Sequence, residues 1–454
     1  LIRQFNACLA ALTLSCGLAA SGISTSPASA EAFSPSRFVL DNGLELVVIE
    51  DHRRAAVAHF AYYKVGAIDE EPGKTGLAHF LEHLMFKGTD NLDPGEFSRI
   101  VARNGGRDNA FTSANYTGYF QVIAADRLGL IMKMEADRMT GLKLDDAIVL
   151  PERDVVLEER LSRVENRPSA LLGEAMRANL YLAHPYRRPI IGWPPEVKRL
   201  TTEDALAFYR KWYAPNNVVV VIAGDVNPND VLALAQDTYG AVAARPLPER
   251  RPFYEPDQRA PRRVVFSDPR VRQEDWRRMY VAPAYDGAAP VPYALNVLSE
   301  IMSGETGRLH NALVERQKIA LGVSFWYDGS GRDYGSAGLY GRPVPGVETT
   351  DLEAAFDAEI AKLLKDGVTE DEVRDAKRRL AASAIFARDS LDGPARIVGG
   401  ALANGQRVED IEEWPERIAA VDRAAIDAAA RALFNINWSV TGILRPAPKE
   451  GAPS

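Results

Sequence analysis

The 454-residue chain is 46% hydrophobic and 26% charged, the balance of an ordinary folded protein, which excludes whole-chain disorder and collagen-like repetition. At roughly 150 residues per domain, this length suits two or three domains with real cores. The 54 basic and 62 acidic residues give a net charge of −8 with no long Lys/Arg run, so a nucleic-acid or anionic-membrane surface is not favoured.

The first element is a targeting segment. Arg3 precedes an apolar run over residues 7–20 that is too short to span a bilayer, and small residues then lead to Ala28-Ser29-Ala30, an A-x-A cleavage pattern. We expect a signal peptide over residues 1–30 and a periplasmic or secreted product; the competing readings are an N-terminal anchor or a first helix of the fold. A lipoprotein anchor is disfavoured, because neither Cys8 nor Cys16 follows a lipobox. Both cysteines lie in this segment, so a chain starting near Glu31 has no disulfide, thiolate metal site or cysteine nucleophile.

Residues 38–49 read as a hairpin with Asn42-Gly43 as its turn, and residues 56–65 as a second strand. Helical character follows over 76–86 and 94–104, then a strand over 116–123 and a helix over 127–139. A further helix is expected over 151–164, with Pro151 in its first turn. Residues 202–213 read as helix and 218–223 as a buried strand closed by Gly224-Asp225. Residues 245–263 hold five prolines and many charges without an apolar period, which marks a linker between domains at 31–244 and 264–454. The helix–turn–strand pattern of residues 208–222 has a faint echo at 430–444, as two similar domains would produce.

The chemistry concentrates in His79-Phe80-Leu81-Glu82-His83. On a helix, His79 and His83 stand one turn apart and face the same way, with Glu82 on that face. A zinc hydrolase needs three protein ligands, one open position for water and a nearby base, and these residues supply two ligands and the base. The bland alternative is a buried helix with two incidental histidines, but a buried Glu between them would be costly without a partner. The pattern is the inverted H-x-x-E-H motif.

With its flanks, residues 76–89, this segment resembles the inverzincin peptidases, the group of pitrilysin and the mitochondrial processing peptidase. The resemblance implies a third zinc ligand 76 positions after His83, which is Glu159, and a second functional Glu seven positions earlier, Glu152. On a helix the two are two turns apart on one face, so Glu159 can ligate while Glu152 supports; Glu158 points about a quarter-turn away. For Glu152 alone, a solvated acidic face is the alternative. Asn109-Ala110-Phe111-Thr112 resembles the family's strand edge that pairs with substrate backbone, a β-augmentation that holds an extended peptide; otherwise it is a turn into the next strand. The resemblance covers nearly the whole chain after residue 30, strongly over 70–160 and diffusely in the second half.

The second half departs from the family pattern. Active members carry an Arg and, seven residues later, a Tyr that contact the peptide; here Arg316 fills the first position and Val323 the second. Val has neither hydroxyl nor ring, so an oxyanion contact is lost, and Tyr327 would need a change of strand register to replace it. His310 is isolated and reads as a surface or helix-end histidine. The resemblance therefore implies an α+β fold of two similar domains, each a largely antiparallel sheet with helices on one face. It also implies one Zn²⁺ per chain on His79, His83 and Glu159, with Glu82 and Glu152 as the catalytic carboxylates. Asn109, Ala110, Phe111, Thr112 and Arg316 would bind peptide. The expected function is a zinc endopeptidase for peptides or unfolded segments; the alternatives are a non-catalytic scaffold subunit of the same fold and a zinc hydrolase of another substrate. Because the Arg/Tyr pair is half missing, a homologous partner subunit in a heterodimer is expected, or else a homodimer, with no nucleic acid and no membrane.

Overall fold

Strand β1 (Ser36–Val39) turns at Asn42-Gly43 into β2 (Glu45–Glu50), as the sequence predicts. Gly43 sits at φ +83, the left-handed backbone a hairpin turn of this kind demands. The computed structural model describes residues 32–447; the expected signal peptide, with Cys8 and Cys16, lies outside the described residues. β3 (Ala56–Tyr63), β4 (Arg107–Thr112), β5 (Thr117–Ala124) and β6 (Val218–Gly224) complete a six-stranded sheet in the order β1-β2-β6-β3-β5-β4. All its pairings are antiparallel except β2–β6. Every residue of β6 is buried, which explains its unbroken valine run: both faces of the sheet are covered there.

The helices of this half are α1 (Leu77–Leu84), α2 (Glu96–Arg103), α3 (Leu128–Thr140), α4 (Asp146–Arg160), α5 (Pro168–Leu180), the short α6 (Pro194–Val197), α7 (Thr202–Trp212) and α8 (Pro228–Thr238). Helices α1, α3, α4, α7 and α8 bury their apolar sides in one core against the first sheet. One expectation fails at α4. The helix begins five residues before Pro151, because the Asp145 carboxylate caps it by accepting the Ile148 N–H at 3.0 Å. Pro151 therefore stands inside the helix, where it forgoes one backbone hydrogen bond, and a π-helical turn, Leu161–Glu165, continues the chain.

The second sheet contains β7 (Arg262–Asp268), β8 (Asp275–Ala282), β9 (Ala320–Asp328), β10 (Gly335–Pro343) and β11 (Ser439–Pro446), in the order β7-β11-β8-β10-β9. Only β7–β11 is parallel. This order repeats β2-β6-β3-β5-β4 place for place, so the sequence echo at 208–222 and 430–444 ends on equivalent strands, β6 and β11. Helices α9 (Pro290–Met302), α10 (Thr349–Asp366) and α11 (Glu370–Ala387) cover one face of it. Beyond them run α12 (Gly393–Ala403), α13 (Val408–Glu412), α14 (Trp414–Ala420) and α15 (Arg423–Leu433), the last joining the same core. Among the described residues no helix is long and apolar enough to cross a membrane.

The opposite face of each sheet is covered by a helix from the other half. Ala395, Val398 and Leu402 of α12 pack on Val47, Phe60, Tyr62 and Val221 of the first sheet. Leu172, Met176 and Leu180 of α5 pack on Val281, Val440 and Leu444 of the second. The approach is close: a Cβ added at Gly399 would overlap the Tyr62 ring. Gly399→Ala is therefore expected to lower stability by about 1–3 kcal/mol through overpacking. An unchanged urea midpoint for that variant would show that α12 yields more readily than this contact implies.

Residues 243–261 form neither helix nor strand, and the last two residues of the expected linker, Arg262 and Arg263, instead open β7. This strap is tied down. The Glu255 carboxylate accepts the N–H groups of Leu182, Ala183 and His184, and Arg250 reaches Asp69 at 3.2 Å. One polar chain crosses the first core. His59 bonds the Tyr239 hydroxyl at 2.7 Å and Gln121 at 2.9 Å, and Gln121 donates to Glu135 at 2.6 Å. Glu135 also accepts from Arg138 at 2.6 and 2.8 Å, and the Arg138 guanidinium lies over the rings of Phe97 and Tyr119 at 4.5 and 4.3 Å.

Candidate active site

Helix α1 begins at Gly76, whose φ of +87 and contact with the Ile191 carbonyl leave no room for a side chain. A glycine offers no capping oxygen, and the buried Glu70 carboxylate supplies it, accepting the N–H groups of Gly76 at 3.1 Å and Ala78 at 2.9 Å. Phe80, Leu81 and Leu84 are fully buried, which fixes the rotation of α1 and turns His79, Glu82 and His83 towards α4 and β4.

His79, His83 and Glu159 meet there. The Glu159 Oε2 lies 3.1 Å from His83 Nε2 and 3.5 Å from His79 Nε2. Ligands of a tetrahedral zinc, bound at about 2.0–2.1 Å, stand roughly 3.3 Å apart, so the donor set matches in type and spacing. Glu158 is exposed and outside the cluster. Glu152 takes the supporting place: its Oε1 lies 3.0 Å from His83 Nδ1, and its Oε2 lies 2.5 Å from Lys87 Nζ. A carboxylate only accepts, so a hydrogen on His83 Nδ1 is donated to Glu152, and Nε2, which faces Glu159, is the nitrogen left for a metal. His79, His83 and Glu159 each bring one donor atom within 4.8 Å of the others, and this set of two imidazoles and a carboxylate is the observation that fits the site to a metal.

The surroundings act on each group differently. Burial lowers His79 to a pKa of about 3, helped by the charges of His83 and Arg163, which keeps it neutral and able to ligate. For His83, burial alone would lower the value, but the bond to Glu152 and the charges of Glu159 and Glu152 raise it above the ordinary range. Burial raises the Glu82 carboxyl, partly offset by the Thr112 hydroxyl, which donates to its Oε2 at 2.6 Å. Burial also acts against Glu152, yet its bonds to His83 and Lys87 hold it below the ordinary carboxyl value.

The segment read as a strand edge is strand β4. Among the described residues it pairs only with β5, and its outer backbone edge has no strand beside it. Ala110 packs towards the α1 side, as Thr112 does through Glu82, while Phe111 packs in the cluster around α12. Asn109 is exposed, its side-chain oxygen accepting the Ala110 N–H at 2.9 Å. Arg316 is exposed at the end of a π-helical turn, His310–Arg316, and lines a cleft with Arg308, Glu359 and Asp375 rather than joining the metal cluster. Val323 and Tyr327 pack on the same core from the same face of β9. The two are about 13 Å apart along the strand, and the Tyr327 hydroxyl is engaged by the Pro283 carbonyl at 2.7 Å. Sequence reasoning missed Lys87, Glu70, the Thr112–Glu82 bond and Arg163, which holds the other oxygen of Glu159 at 2.7 Å. Of these, only Arg163 left a local signal, its i+4 spacing from Glu159.

Residues 46–193 match the family described as Insulinase (Peptidase family M16), and residues 199–380 match Peptidase M16 inactive domain. Zinc protease PqqE of Helicobacter pylori is 30% identical over 414 residues, covering 90% of this chain and 92% of its own. The chain belongs to peptidase family M16. The probable mitochondrial-processing peptidase subunit beta of Arabidopsis thaliana is 25% identical over 404 residues, 86% of this chain and 74% of its own. The crystal structure of a protease from Helicobacter pylori superposes with a TM-score of 0.85 at 28% identity, over 91% of this chain and 99% of that one. Pitrilysin shares the M16 fold with a TM-score of 0.76 at 17% identity, this chain spanning 45% of its length. The two-sheet α+β architecture is thus that of the M16 family.

Proposed function

We propose that this chain is a zinc-dependent endopeptidase that cuts peptides and unfolded segments. The convergence of His79 Nε2, His83 Nε2 and Glu159 Oε2, with Glu82 beside them, carries the reading; the relatives named zinc proteases support it. A zinc ion held by those three residues supplies the positive charge that acidifies water and polarises a scissile carbonyl. Thr112 occupies Oε2 of Glu82 and leaves Oε1 to take the proton of the attacking water and then pass it to the leaving amine. The free edge of β4 binds an extended peptide through its backbone, with Asn109 exposed beside it. Pairing with a homologous subunit belongs to the same reading, because Val323 offers no hydroxyl and that of Tyr327 is bonded to Pro283. Release from the cell envelope side of a cleaved signal segment, as a periplasmic or secreted protein, completes the proposal.

The test is to purify the chain alone, measure its mass and zinc content, and assay unstructured peptides beside a stable folded protein before and after chelation. Peptide cleavage that chelation abolishes and zinc restores is expected, with the folded protein resistant. A zinc-free chain, or one that cuts folded substrate preferentially, would overturn the reading, and a zinc-loaded chain that binds peptides without cutting them would make it a scaffold subunit.

A further inference from the structure

Lys87 follows α1 in the turn that closes it, its N–H bonded to the Leu84 carbonyl at 2.9 Å. Its ammonium meets one oxygen of Glu152 at 2.5 Å, while the other oxygen meets His83 Nδ1 at 3.0 Å. From this chain of contacts we infer that Lys87 is a positioning residue: by holding Glu152, it sets which nitrogen of His83 faces the metal, an inference that rests on the zinc reading above.

The argument begins with the reach of Glu152. It comes from α4, not from α1, and a glutamate side chain has several rotatable bonds between that helix and His83. A single hydrogen bond at Oε1 leaves the carboxylate free to pivot. The ammonium at Oε2 supplies the second anchor, and no other group among the described residues bonds that oxygen. Surface ion pairs contribute little, but the Glu152 side chain is only 9% exposed and that of Lys87 31%, so water does not readily take the place of the lysine. Without Lys87, a nearly buried carboxylate oxygen is left unpaired, and the conformer that escapes to solvent gains. His83 then loses the acceptor that keeps its hydrogen on Nδ1. The other tautomer points N–H from Nε2 at Glu159 and blocks the lone pair a metal needs.

The experiment compares full-length Lys87→Met, Lys87→Arg, Glu152→Gln and the Lys87→Met/Glu152→Gln double variant by zinc affinity, measured in competition with a chromogenic chelator. The visible spectrum of each cobalt-loaded chain is recorded as well, and thermal unfolding checks that each folds. Lys87→Met is expected to bind zinc about 10–100-fold more weakly, the range for groups that support a metal ligand, with Lys87→Arg restoring most of the loss. Lys87→Met and Glu152→Gln should shift the cobalt bands in the same direction, and Lys87→Met should add nothing to Glu152→Gln. Wild-type zinc affinity and cobalt spectrum in Lys87→Met would overturn the inference while leaving the peptidase reading intact. So would an equal loss with and without Glu152. A wild-type chain that takes up no zinc would overturn both.

Discussion

Glu82→Gln is expected to fold, to keep its zinc and to lose peptide turnover by about 10²–10⁴-fold, the contribution of a positioned general base. The carboxamide has the shape of the carboxylate and can still accept the Thr112 hydroxyl at the position of Oε2, so α1 and β4 keep their relation. What it lacks is a basic oxygen at the free position. Glu82 is not among the converging metal donors, so metal content should not fall; His83→Ala and Glu159→Gln, which remove donors, should lower it. Zinc analysis beside steady-state kinetics separates these outcomes. A Glu82→Gln chain that retains full turnover, or one that has emptied its site, contradicts the assigned role.

The largest effect on stability is expected at the polar chain in the first core. Glu135→Ala removes the only carboxylate bonded to Arg138 among the described residues, and leaves this 1% exposed guanidinium against the rings of Phe97 and Tyr119. Breaking one side of a buried ion pair costs about 3–5 kcal/mol, because the remaining charge is uncompensated. That is a large share of the roughly 5–15 kcal/mol that holds a domain folded. The loss should reach the site, since Tyr119 bonds Tyr213 at 2.9 Å and packs beside Phe86, two residues beyond α1. Replacing both partners, as Glu135→Leu with Arg138→Met, should fall closer to the parent than Glu135→Ala does. Urea unfolding decides it: a single variant within about 1 kcal/mol of the parent would show that water or the rings already compensate the arginine.

How much of this was legible in the sequence depends on the range over which each interaction acts. The Asn42-Gly43 turn and the valine run of β6 are written in adjacent residues, and both stand where the sequence places them. The spacing of His79, Glu82 and His83 is also local, since one helical turn fixes it. Glu159 required the family resemblance, because nothing near residue 159 reports that α4 packs on α1. Lys87 stayed hidden for the same reason: its meaning comes from Glu152, which belongs to another helix. The start of α4 was misread because proline is a stronger written signal than the Asp145 cap that overrules it. In the second half, α12 offers an apolar stretch whose partner sheet is the first one, so its own neighbourhood in the sequence does not account for it.

The exchange of α5 and α12 gives the order of synthesis a physical consequence. The first sheet has all its strands once residue 224 has been made, yet the helix that covers its second face begins at residue 393. Through that interval Val47, Phe60, Tyr62 and Val221 form an apolar surface with nothing to bury it. Contacts so distant along the chain close late, and an uncovered sheet face is the species that aggregates. The nascent protein thus carries a sticky, half-finished layer while residues 225–392 are made, and its most vulnerable moment comes just before α12 emerges.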